Sequence, residues 1–167
     1  MARLRAWFEK LLESIVIILM LTLAVEVVLG VTYRKLGMSL SWYDEIASVT
    51  LAWLTYYGAA LAALKGAHIG VPEIVRFMPR PWRVATLYVG EFFVFAFMIA
   101  LGWTGLSVLR VLATDTLVSL PTVPVSYTQS VIPVASLLFI IAEALHFPQR
   151  LAEARAGEPA VTTTGDP

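Results

Sequence analysis

Three carboxylates, Glu26, Glu91 and Glu143, stand inside otherwise apolar runs of this sequence. A carboxylate in hydrocarbon is costly, so it is kept for ion or proton coupling or for tying helices together. Depth separates these roles. Glu143 is four residues from the end of its run and can reach headgroups or Arg150. Glu91 is seven residues past the start of its run, and Glu26 is seven residues before the end of its own. Each then lies about 10 Å deep in a helix, and the two fall in opposite leaflets, so they cannot form one site. Glu26 and Glu91 are therefore expected at a subunit interface or as helix locks.

The remaining reactive side chains are sparse. Ser41-Trp42-Tyr43-Asp44-Glu45 opens the second apolar run, and Ser41 with Asp44 fits a capping pattern. Asp44 and Glu45 also suit the positive end of a helix dipole. Gly58, Ala62 and Gly66 recur every fourth residue, a spacing that lets another helix approach closely. His68 and His146 are the two histidines; one shared metal site would need carboxylates as its other ligands, so anchoring and hydrogen bonding are expected of them. The absence of Cys removes thiolate sites and thiol nucleophiles. No phosphate-binding loop and no Ser/His/Asp motif occurs. Neither an enzyme nor any cofactor is expected.

The elements that must position these residues follow from composition. Of the 167 residues, 59% are hydrophobic and 14% charged. Soluble domains run at about 45–50% and about 25%. A soluble globular enzyme and a disordered chain are both excluded. A net charge of zero disfavours nucleic acid as a partner. The fold expected is an all-α integral membrane protein with four transmembrane helices, over residues 14–33, 46–64, 84–111 and 127–147. Continuous apolar runs exclude a barrel, which needs period-two alternation.

Short amphipathic helices are expected in the membrane interface over 2–13 and 71–78, beside phospholipid headgroups. Residues 2–13 place Leu4, Phe8, Leu11, Leu12 and Ile15 on one face. The four-helix domain thus covers 1–150, and 151–167 reads as a disordered polar tail. Pro121 and Pro124 keep the weakly polar loop 112–126 from forming a regular helix. A cleaved leader is the competing reading of the N-terminus. The apolar run is too long for it and no small-residue cleavage site follows. Nine of the 12 Lys and Arg residues fall on the side that carries both termini. That bias puts both termini in the cytoplasm of a multi-pass protein of the bacterial inner membrane.

Four features together resemble one family. They are the four spans with both termini inside, the acidic pair Asp44-Glu45, the stretch Lys65-Gly66-Ala67-His68-Ile69-Gly70-Val71 that ends the second span, and Leu120-Pro121 followed by Tyr127 and Pro133. Over roughly residues 8–148 the chain resembles the small (DctQ-type) membrane subunit of tripartite ATP-independent periplasmic, or TRAP, transporters. The family commonly has Glu-Glu where Asp44-Glu45 stands, a change that leaves the cap intact. The resemblance implies a scaffold subunit of a sodium-driven importer of organic acids such as dicarboxylates. Its partners would be a large multi-span membrane subunit, which holds the substrate and sodium sites, and a periplasmic binding protein. The alternative is a self-contained four-helix, proton-coupled exchanger that uses Glu26. The long second and third loops count against it.

Overall fold

The computed structural model describes residues 2–66 and 79–156, and these are helical apart from connecting loops. Helix α1 spans Ala2–Lys35, α2 Tyr43–Lys65 and α3 Arg80–Val111. A single 3₁₀ turn, Leu112–Thr114, leads to the short α4, Val125–Gln129, and then to α5, Val131–Ala156. Four of the helices are long and apolar enough to cross a membrane. The expectation of a four-helix membrane protein therefore holds. Neither the membrane side of the termini nor the interfacial helices follow from these elements. Residues 71–78 and His68 lie outside the described residues.

The first element differs from its expected form. Residues 2–13 do not make a separate helix; they run without a break into the first span. No Gly or Pro stands between Ala2 and Leu29, and Ala, Leu, Arg, Lys and Glu there favour helix. At 34 residues α1 is about 51 Å long, well beyond the thickness of the hydrocarbon. Its apolar N-terminal face packs on protein: Phe8 and Leu12 are buried with Ala60, Ala63, Leu64, Phe139 and Ala142. α1 ends where Gly37 takes φ +75° and its flanking amides bond back, Met38 N–H to the Tyr33 carbonyl and Gly37 N–H to that of Arg34. This is a Schellman stop, which spares a β-carbon in the left-handed region.

The expected cap on α2 is corrected. Its N-cap is Trp42, already helical at φ −86° and ψ −13°, and no side chain caps it. Ser41 instead offers its carbonyl to the Ser119 hydroxyl at 3.0 Å. The acidic first turn, Asp44 and Glu45, remains to favour the dipole. α3 begins four residues before the apolar run because Pro81 sits in its first turn, where a missing N–H costs nothing. The fourth span is broken at Ser130. Pro133 has no N–H for the Gln129 carbonyl, so α4 stops and α5 starts afresh.

In space the long helices form a row in the order α1, α2, α5, α3. Each packs chiefly on its neighbours in that row, so α1 and α3 are flanks. Gly105 and Gly102 of α3 are packing sites. A Cβ on Gly105 would lie 2.8 Å from Ile132 Cγ2, and one on Gly102 3.5 Å from Ser136 Cβ.

Candidate functional site

Polar side chains collect at the two ends of the row. At the end where α1 starts and α2 stops, Arg150 of α5 reaches back along its helix. Its Nη1 donates to Glu91 Oε1 of α3 at 2.6 Å and also to Glu143 Oε1. Glu143 is 2% and Glu91 5% exposed. Two desolvated carboxylates therefore share one guanidinium, which clamps α3 to α5. Glu91 Oε2 is covered and has no hydrogen-bond partner among the described residues. An unmade bond of this kind at a desolvated charge is costly, so the described residues leave the site short of one donor.

Beside this clamp, Arg5 ties α1 to both α2 and α5. Its Nη2 donates to the Leu64 carbonyl at 3.1 Å and lies 3.4 Å from His146 Nδ1, while Nη1 bonds Gln149. The Leu64 carbonyl is one that a helix C-terminus leaves unpaired, so the guanidinium serves as a cap in trans. Lys65 pairs with Glu13 and, at 3.6 Å, with Glu9. Gly66 then turns the chain at φ +66° directly against the His146 imidazole, which a β-carbon there would overlap. A cavity of about 50 Å³ lies between Ala63, Gly66, Glu143, His146 and Arg150.

At the opposite end, Glu45 holds the loop that joins α3 to α4. Its Oε1 accepts the Val118 N–H at 3.0 Å and its Oε2 the Ser119 N–H at 2.8 Å. Trp53 Nε1 donates to the Thr128 carbonyl at 2.8 Å. The loop also closes on itself, with the Val125 N–H on the Asp115 carbonyl and the Leu117 N–H on that of Val123. Several of its backbone N–H groups are thereby satisfied without regular helix. Asp44 faces Arg34 at 3.9 Å with both side chains exposed, a pair that adds little.

Glu26 stands between α1 and α2, where Thr50 Oγ1 donates to its Oε1 at 3.3 Å. Its Oε2 is covered and without a partner. Glu26 and Glu91 thus face different helix pairs and do not meet. Gly58, Ala62 and Gly66 do not act as one strip. A Cβ on Gly58 would meet nothing within 4 Å, Ala62 is half-buried, and Gly66 has left the helix. The alanines that do pack are Ala60 and Ala63, on an adjoining face. Two close approaches escaped the sequence reading: Gly30 under the Tyr43 ring and Arg5 on α2 and α5. A glycine interrupting a run of branched residues was the available sign of the first.

A groove of about 360 Å³ opens on the flank between α3 and α5. Tyr88, Glu91, Phe92, Phe95, Ala144 and Phe147 line it. Tyr88 and Phe147 meet edge to face at its side, with ring centres 5.7 Å apart. Among the described residues, no group of three or more His, Asp or Glu is placed to hold a metal. What this arrangement can do is hold helices and one loop in register.

The family model for tripartite ATP-independent periplasmic transporters, DctQ component, matches residues 23–153. Comparison with curated proteins finds no match.

Proposed function

The chain belongs to the DctQ component family of the tripartite ATP-independent periplasmic transporters, and from that premise we propose that it is the scaffold subunit of such a transporter. In this reading it sits in the bacterial inner membrane with both termini in the cytoplasm. It holds a large multi-span subunit, which carries the substrate and coupling-ion sites. A periplasmic binding protein delivers an organic acid, such as a dicarboxylate, to the pair, and sodium drives the import. Phospholipid covers the faces that protein does not.

The observation that carries the proposal is the use made of the carboxylates. Glu91 and Glu143 lie on Arg150, Glu26 on Thr50 and Glu45 on two loop amides. Glu91, Glu26 and Glu45 each join one element of the chain to another, and Glu143 holds Arg150 on their shared helix. A coupling carboxylate has to exchange its ion with water on both sides in turn. Glu26, wedged between α1 and α2 at one edge of the row, supports the exchanger reading poorly. The test is purification of the tagged chain from its native membrane in mild detergent, with mass spectrometry of what accompanies it. A large multi-span protein in stoichiometric amount is expected. A homodimer without such a companion would overturn the proposal.

A further inference from the structure

We infer that the groove between α3 and α5 seats a transmembrane helix of the large membrane subunit, and that this helix brings a basic side chain to Glu91. The inference rests on the proposal that the chain works beside such a subunit.

Charge is the first argument. The clamp holds two buried carboxylates against one guanidinium, so it needs a proton or a second cation to be neutral. Buried charge of this kind is retained only with a counter-charge or further hydrogen bonds. Arg5, the next cation along, is engaged with the Leu64 carbonyl and Gln149. Glu91 lines the groove, and its covered Oε2 has no hydrogen-bond partner among the described residues.

Depth is the second. Arg80, Trp82 and Arg83 open α3, and Trp82 is exposed, as befits the headgroup boundary. Glu91 lies eight residues beyond Arg83, about 12 Å further along the helix. At that level a lipid offers acyl chain and no donor. Among the described residues none donates to Glu91 Oε2, and a neighbouring helix is a source of such a donor. The two flanks of the row differ accordingly. α1 exposes aliphatic residues such as Ile17, Ile18, Leu21 and Val25, a surface suited to lipid. α3 exposes Phe92 at the groove and Phe93, Phe97 and Trp103 elsewhere along the helix.

The test places a benzophenone-bearing residue at Phe92, or at Ile18 on the other flank, in the tagged chain. Each version is irradiated in its native membrane and then purified. Glu91→Gln and the groove-filling Ala144→Trp are compared with the unaltered chain for the amount of large subunit carried along, with far-ultraviolet circular dichroism to show that each is folded. The expected result is an adduct between position 92 and the large protein, none from position 18, and a loss of about ten-fold or more in that protein with Glu91→Gln. Co-purification of the large protein with only lipid adducts at position 92 would overturn the inference and leave the scaffold reading standing. So would an undiminished yield with Glu91→Gln, which would mean that a proton alone balances the clamp. If the unaltered chain brings down no large protein, the scaffold reading fails and this inference with it.

Discussion

Replacing Arg150 by Met tests whether the shared guanidinium is what holds α3 in the row. α3 packs chiefly on α5, and Arg150 of α5 bridges the two through Glu91 of α3 while also binding Glu143 of its own helix. Removing one partner of a buried pair costs about 3–5 kcal/mol, because a charge is left desolvated. Here two carboxylates, 5% and 2% exposed, are left together. The Arg150 side chain is itself 38% exposed, so solvent already screens part of the interaction. The expected loss is then about 2–3 kcal/mol, a shift of about 30- to 150-fold in the opening equilibrium. The chain has no cysteine, so a single Val94→Cys on α3 gives a clean reporter. Val94 packs against the buried core, and its thiol becomes reactive when α3 swings away. Its labelling rate in micelles is expected to rise by that factor in Arg150→Met. Adding Glu91→Gln removes one of the two stranded charges and should recover a large part of the loss. A labelling rate within about two-fold of the parent, or a double variant no better than the single, would refute the clamp.

Three further outcomes follow from the same contacts. Glu45→Ala frees the Val118 and Ser119 amides, so hydrogen exchange at these two positions should quicken, while the α2 amides beyond the first turn keep their protection. Gly105→Ala gains up to about 1 kcal/mol in helix propensity but drives a β-carbon to 2.8 Å from the stiff, branched Ile132, an overpacking that costs about 1–3 kcal/mol; thermal denaturation should show a net loss, whereas Gly58→Ala, with open space at the same atom, should be neutral or slightly stabilising. Glu26→Ala should leave substrate uptake by the reconstituted transporter within about two-fold of the parent, since Glu26 faces Thr50 between α1 and α2; loss of uptake with intact assembly would revive the exchanger.

The sequence carried the spans well because the signal is additive: about twenty apolar residues in a row have few folded solutions. It carried element ends less well. The Ser41–Asp44 cap fitted a local rule, yet Ser41 serves Ser119, 78 residues away, and Glu45 serves the same loop. Such partners are set by the return of the chain through α3, which no local pattern encodes. The amphipathic stretch 2–13 was legible as a face but not as to what covers it. A stripe holding Phe8 and Leu12 suits lipid and protein equally, and only the nearby alanines of α2 make protein fit. The depth of Glu143 and the reach of Arg150 did allow their pairing to be read, because both lie on one helix.

That α3 is attached mainly at one edge bears on why a scaffold would be built as a row. A closed four-helix bundle satisfies its polar groups inward and leaves lipid-facing surfaces alone. In a row each interface is a single helix pair, and the two outer ones have polar ties: Glu26–Thr50 and Arg5–Leu64 for α1 on α2, the Arg150 clamp for α5 on α3. Lipid tails are as apolar as Leu, so burial gives little preference for one helix pairing over another in the membrane. Specific polar ties are what fix the order. Two of those ties leave a covered carboxylate oxygen unpartnered, at Glu26 and Glu91, and those are the points at which a further element has most to gain by joining the row.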